Sequence, residues 1–326
     1  VTSTGSANGG VPLTEGPDAG AIWHYGDPVA EQRMLESGAG AVRLDHRDVL
    51  QVSGPDRLSW LHSLTTQHLE QLAPGVGTTA FVLSPQGHIE HVLYAVDDGE
   101  VLWAHTEPGR GQALVDFLSR MVFMRQVEVS LRTDRLAVVW QPGQPPQGRI
   151  TRATADSLGG FESFIPRDHL DDYLFGVAGG QLAGLWAYEA RRIAAGVPRI
   201  FLDTDHRTIP NELGLSDGVH LDKGCYRGQE TVARVHTLGR PPRRLVRLHL
   251  DGSMDALPTP GAELTLGERA VGLVGGSARH HELGPIALGL IKRNVAVDAP
   301  LVVDGIAAAQ ETLVDPEVGL HVRARP

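Results

Sequence analysis

From Arg240 onward the sequence loses every helical signal, and this limits the fold more than any other feature. The segments LVRLHL, AELTL, RAVGLVG and PIALGLI are short, rich in branched residues and separated by Gly and Pro. Several short strands at close spacing, with no good helix among them, predict a small barrel or sandwich. The stretch RPPRR (240–244) marks the change. It divides an α+β region over residues 21–240 from an all-β domain over residues 241–326. A chain of 326 residues is long enough for two or three separate cores.

The α+β region reads in order. AVRLDHRDVLQVSG (41–54) predicts two short strands. SGPDRLSWLHSLTT predicts a helix with Ser53 as its cap, Pro55 in its first turn, and Leu58, Leu61 and Leu64 on one face. Residues 78–105 predict three strands, with turns at Pro85-Gln86-Gly87 and Asp97-Asp98-Gly99. GQALVDFLSRMVF predicts a helix, QVEVSL and RLAVVW predict strands, and QPGQPPQGR is a loop before the short strand ESFIP. QLAGLWAYEARRIAAG (181–196) predicts a helix with Leu182, Leu185, Trp186 and Ile193 on one face, ended by Gly196 and Pro198. Residues 1–20 are polar and rich in Gly, Ser and Thr, so a flexible tail is expected there and no secretory signal.

Composition excludes several functions. The single cysteine, Cys225, permits neither an internal disulfide nor a four-cysteine metal site, and a lone thiol suits the reducing cytoplasm. A net charge of −10 argues against general nucleic-acid binding. No run approaches the ~20 apolar residues that span a bilayer. Walker A, GxGxxG, HExxH and GxSxG patterns are absent. His280 and His281 are adjacent, and neighbours on a strand point opposite ways, so no metal site is expected there.

Chemistry concentrates around LDKGCYRGQE (221–230). Lys223 and Arg227 lie two positions either side of Cys225; in an extended segment both share its side and favour the thiolate. Equally, a cysteine between glycines can be a packed small hydrophobe. Residues 221–247 hold seven Lys/Arg and two acids, a net +5 stretch in an acidic chain. It reads either as an anion-binding patch or as a solvated basic linker. In IPNELGL (209–215), Glu212 is placed either to accept two N–H bonds from an amino-pyrimidine edge or simply as an exposed loop acid. Arg192 near a helix C-terminus is explained by the macrodipole alone.

The string K-G-C-Y-x-G-Q-E, Lys223 to Glu230, resembles the signature of the YgfZ family of folate-binding proteins, relatives of the glycine cleavage T-protein (aminomethyltransferase). SGPDRLSWLHSLTT, RRIAAGVPRI with IPNELGL, and ETVARVHTLGRPPRRLVRL with PIALGLIKR are similar to the family's early helix, its helix and glutamate loop, and the strands after the signature. The resemblance covers roughly residues 35–295. It implies two α+β subdomains and a C-terminal β-barrel around a central channel that binds tetrahydrofolate. It implies an accessory role in assembly or repair of iron–sulfur proteins, with effects on tRNA bases modified by iron–sulfur enzymes. Folate and iron–sulfur client or assembly proteins are the implied partners. Cys225 is then the reactive residue, with Lys223 tuning it. Glu212 would hold the pterin, the glutamyl tail would run along Lys223, Arg227 or Arg240, and Arg192, Tyr226, Gln229 and Glu230 would complete the folate site. Two departures stand out. The T-protein's catalytic aspartate has no counterpart in Gly87-His88-Ile89-Glu90-His91, where Glu90 is the nearest substitute, and Ala194 replaces a glutamate frequent in relatives. The T-protein also lacks the cysteine signature. Aminomethyl transfer is the alternative activity.

Overall fold

The computed structural model describes residues 9–318, except 147, 178, 215, 216 and 238 and the side chain of residue 177. The chain begins with the short β1 (Val11–Pro12) and β2 (Ile22–His24), then α1 (Pro28–Glu36) and β3 (Ala41–Arg43). Next come β4 (Asp48–Ser53), α2 (Arg57–Leu64), β5 (Gly77–Leu83), β6 (Ile89–Asp97), β7 (Val101–Thr106), α3 (Gly111–Arg120) and β8 (Glu128–Leu131). They are followed by β9 (Leu136–Gln141), β10 (Thr151–Ala153), β11 (Phe161–Pro166), the one-turn α4 (Leu170–Asp172), β12 (Leu182–Ala183), α5 (Leu185–Ala194) and α6 (Gln229–Thr237). The remainder is all strand: β13 (Arg243–Leu250), β14 (Glu263–Leu266), β15 (Arg269–His280), β16 (Gly284–Lys292), β17 (Leu301–Val303) and β18 (Ile306–Thr312).

Beside the two-stranded β1-β2 pair, three larger sheets form among the described residues. One five-stranded sheet runs β5-β6-β7-β4-β8, another runs β10-β11-β9-β3-β12, and the last six strands close as a barrel in the order β13-β16-β15-β14-β17-β18. Closure removes the exposed edges that short strands would otherwise leave. The second sheet takes β3 from near the N-terminus and its other strands from residues 136–183, so the two α+β subdomains are interleaved in sequence.

Four expectations need correction. The flexible tail does not extend to residue 20: Val11–Pro12 pairs with β2 and Asp18 is buried, while residues 1–8 lie outside the described residues. Ser53 ends β4 and does not cap α2, whose cap position is Asp56. Leu182 belongs to a parallel strand against β3, not to the helix, which starts at Leu185. ETVARVHT is helical within α6, not a strand, because Gly228 lets the chain turn into it: its φ is +81°, and a Cβ there would meet the Ser84 carbonyl at 2.4 Å.

α5 lies across β15 of the barrel, and buried charge ties these units together. Arg199 donates to Asp18, Glu107 and Glu189 at 2.7–3.1 Å; Arg47 donates to Glu107 at 2.7 Å. Arg192 donates to Glu189 at 2.7 Å and to Asp203 at 2.8 Å. Asp203 then accepts the Gly276 N–H of β15 at 2.6 Å. Only glycine fits beside it, because a Cβ at Gly275 would meet Asp203 Oδ1 at 2.2 Å. Burial pushes the Asp18 carboxyl up, but Arg199 and His46 outweigh it and hold it well below the usual range.

Candidate thiol loop and central cavity

The signature forms a loop between the segment after Leu213 and α6, and its residues face different ways. Lys223 does not touch Cys225. Its ammonium donates to the carbonyls of His62, Thr65 and Gln67 at 2.5, 2.7 and 2.8 Å, at the C-terminal end of α2. The His62 carbonyl lies in the last turn of α2, at the negative end of its dipole, and those of Thr65 and Gln67 lie just beyond it, so a cation belongs there. Burial pulls the amine from 10.5 down to about 8, and three carbonyls favour the charged form, which alone has three N–H groups to offer. On either count Lys223 is charged at neutral pH. Lys223 also sits 5.1 Å from the centre of the Tyr226 ring.

Tyr226 is buried in the core formed with Phe81, Leu83, Ile89 and Val232. Gln229 Nε2 reaches the Lys223 carbonyl at 3.5 Å, and Glu230 lies exposed in the first turn of α6, where an acid suits the dipole. Between these anchors Cys225 is exposed. The loop therefore holds its flanking residues in the protein and leaves the sulfur outside, and a packed small hydrophobe does not describe it.

The basic stretch is not an open anion patch. Six of its seven cations have partners: Lys223 as above, Arg227 with Glu90, Arg240 with Glu317, Arg243 with Asp205 and Glu212, Arg244 with Gln310, and Arg247 with Glu311. Glu212 is fully buried, and its carboxylate accepts from Arg243 and from the Ile209 N–H. Arg192 is equally enclosed by Glu189, Asp203 and the Val197 carbonyl. The Glu90 carboxylate, nearest to the T-protein's catalytic aspartate in sequence, is held by Arg227 at 2.7 Å.

Beside that pair, burial lowers His91 to about 4, and Arg110, Arg227 and Arg120 push the same way. A free histidine takes its proton near 6.5, so the unfolded chain binds more protons between the two values. His91 thus contributes stability above pH 6.5 that is lost as pH falls toward 4. His91→Gln should flatten the fall in urea-unfolding free energy between pH ~6.5 and ~4.5, a window above the usual carboxylate range. An unchanged slope would show that His91 does not carry this dependence.

A cavity of about 220 Å³ opens where β5 and β6 meet the segment after α5. Phe81, Tyr94, Val197, Ile200 and Leu213 supply apolar walls, and Asp156 and Asp217 are its acids. Burial raises the Asp156 carboxyl, Arg152 opposes this, and Glu162 adds to it. The back wall is braced: Arg152 donates to Thr79 Oγ1 at 2.8 Å and to Glu162 at 2.6 Å, and His105 stacks on Tyr94 at 5.0 Å. Glu212 does not line this cavity, although its neighbours Leu213 and Gly214 do. Sequence reasoning missed Asp156 because it lies in a loop with no motif. Tyr94 was placed in a strand, but its neighbour across the sheet, Thr79, is fixed only by register.

The expectation that His280 and His281 diverge is corrected. β15 ends at His280, the chain turns, and the two rings stack 4.9 Å apart, both facing Glu36. His280 Nδ1 accepts from the Glu282 and Leu283 N–H groups, which leaves the proton on Nε2 toward Glu36. This is a hydrogen-bonded link between α1 and the barrel.

Two five-stranded sheets and a closed six-stranded barrel define the glycine cleavage T-protein class of fold. The crystal structure of the glycine cleavage system aminomethyltransferase T from Bartonella henselae matches with a TM-score of 0.77 over 94% of each chain, at 18% identity. Among sequences, the chain is similar to the human mitochondrial iron–sulfur cluster assembly factor IBA57, 27% identical over 75% of this chain and 70% of that protein. It is also similar to the aminomethyltransferase of Streptomyces coelicolor, 24% identical over 82% of each. No protein-family model matches. These relatives make the chain a homologue within the T-protein-type superfamily. Among the described residues, no helix is long and apolar enough to cross a membrane.

Proposed function

We propose that this protein is an accessory factor for assembly or repair of iron–sulfur proteins, with Cys225 as its working thiol and a reduced folate in the central cavity. Through its client enzymes it would affect the tRNA modifications they make. The observation that carries the reading is the exposed sulfur on an anchored loop: Lys223 and Tyr226 fix the backbone either side, and Cys225 between them faces outward. Similarity to the human assembly factor supports the same direction. A thiol so placed meets another protein's sulfur or iron rather than a group buried within its own chain.

The cavity suits a folate head group. At about 220 Å³ it is smaller than the ~300–1,000 Å³ of drug-sized pockets, so it fits a bicyclic ring with the tail outside. Aromatic and branched walls match the ring faces, and the Asp156 carboxyl matches its amino-pyrimidine edge. Asp156 thereby takes the part first assigned to Glu212, whose oxygens are already held by Arg243 and Ile209.

Calorimetry with tetrahydrofolate tests this half of the reading. Wild type should bind, and Asp156→Asn should lose about tenfold or more, the cost of one charge-assisted pair at 1.5–3 kcal/mol. No heat with wild type removes folate and leaves the thiol reading standing. Steady turnover of the purified protein in a glycine cleavage assay would instead establish the aminomethyltransferase alternative, against which the Glu90–Arg227 pair argues.

A further inference from the structure

The three carbonyls that Lys223 gathers belong to the segment that carries His62 and precedes His68 and Glu70. These three side chains converge. One ligand atom from each lies within 4.8 Å of the others, with both histidines half-buried and Glu70 exposed. The His62 and His68 rings are 4.6 Å apart, and His220 stands 5.2 Å beyond His68. We propose that His62, His68 and Glu70 form a binding site for a divalent first-row transition ion at the base of the thiol loop.

The donor set selects the ion. Two imidazoles and one carboxylate, with the remaining positions open to water, is the pattern of open zinc sites and of non-haem ferrous sites. Magnesium and calcium prefer all-oxygen ligands, so they are disfavoured. Bonds of ~2.0–2.2 Å place ligand atoms roughly 3 Å apart around such an ion. The ligand atoms stand within 4.8 Å of one another, so the site needs a closure of under about 2 Å, and Glu70 on the exposed side is placed to make it.

The tautomer is also right. His62 Nδ1 points its lone pair at the Glu70 N–H across a long 3.4 Å contact, a weak bond that a metal readily replaces. Its Nε2 faces the signature loop, 4.0 Å from where a Cβ on Gly224 would stand. The comparison with Glu36, His280 and His281 sharpens the point. The ligand atoms of that trio lie equally close, but His280 has its Nδ1 lone pair in two backbone hydrogen bonds and its Nε2 proton toward Glu36. The Glu36 cluster has its lone pairs committed within the protein, whereas the His62 cluster holds only the long Glu70 N–H contact and keeps donor atoms open to a cation.

The framework is rigid where the site needs it. Thr66 Oγ1 donates to the Gly218 carbonyl at 2.5 Å and accepts from Phe81 N–H at 2.9 Å, and His220 N–H donates to the Thr66 carbonyl at 2.9 Å. The turn between His62 and His68 is therefore fixed from both sides, which is how a protein preorganises ligands.

The inference goes beyond the proposed function and does not require it. The test titrates untagged protein with Co²⁺, read by its visible absorption, and with Zn²⁺ against a chromophoric chelator. One Co²⁺ should bind per chain, with no sulfur charge-transfer band. His68→Ala should weaken binding by more than the roughly 10–100-fold that loss of an outer partner costs. Glu70→Gln, an exposed change that leaves the fold intact, should weaken it in the same direction. Cys225→Ser and Glu36→Ala should bind as wild type does. Absence of Co²⁺ binding, wild-type affinity in both His68→Ala and Glu70→Gln, or loss of binding in Glu36→Ala would overturn the assignment.

Discussion

Arg199→Met is expected to destabilise the protein by about 3–5 kcal/mol, the range for removing one partner of a buried ion cluster. Arg199 is 3% exposed and holds Asp18 in the N-terminal segment, Glu107 after β7 and Glu189 of α5. Methionine fills similar space but donates nothing, so three buried carboxylates each lose one ion pair while keeping their desolvation cost. Arg47 and Arg192 remain on Glu107 and Glu189, but nothing else in this cluster except His46 reaches Asp18. The N-terminal segment should therefore detach first, visible as faster amide exchange around residues 11–24 before global unfolding. The comparison variant is Arg279→Ala, whose partner Asp255 is fully exposed; a surface pair of this kind contributes ~0–1 kcal/mol. Equal melting temperatures for Arg199→Met and wild type would show that the cluster does not hold the subdomains together.

What the sequence made legible follows from physical range. The barrel was readable because each strand carries its own local pattern, and closure needs only that several such strands be present. α5 was readable from its periodic apolar face and its Gly196 stop. α6 was not, because its helical start depends on Gly228 packing against the Gly87 turn, a contact between residues more than a hundred positions apart. The basic stretch misled for the same reason. Charge is visible in sequence, but the acids that neutralise it are Glu90, Asp205, Glu212, Glu311 and Glu317, most of them far along the chain. Lys223 stands out in the sequence beside Cys225, but the three carbonyls it binds lie near residue 65, and no local pattern announces them. His62 and His68 escaped notice because their spacing matches no motif, and a common face appears only once α2 has ended and the chain has turned.

Cys225→Ser should abolish function while leaving the fold untouched. The chain has one sulfur of this kind, so a single substitution removes every thiol reaction open to it. The side chain is exposed, so serine neither opens a cavity nor buries a hydroxyl, and surface changes of this sort shift stability by no more than about 0.5 kcal/mol. The loop's anchors are elsewhere: Lys223 on the α2 carbonyls, Tyr226 in the core, Gln229 on the Lys223 carbonyl. In a strain lacking the protein, wild type should restore iron–sulfur enzyme activity and Cys225→Ser should leave it near the empty-vector level, with equal expression and equal melting temperature. Serine keeps the size and the hydrogen-bonding but is neither a soft iron ligand nor a nucleophile at neutral pH. That separates sulfur chemistry from shape, since a loop that acts only as a docking surface would tolerate the change. Full restoration by Cys225→Ser would therefore assign the loop to docking and remove the thiol from the proposed function. Tetrahydrofolate binding, measured on the same purified variant, should be unchanged, because the cavity is lined by residues of β5, β6 and the segments around Asp156 and Leu213.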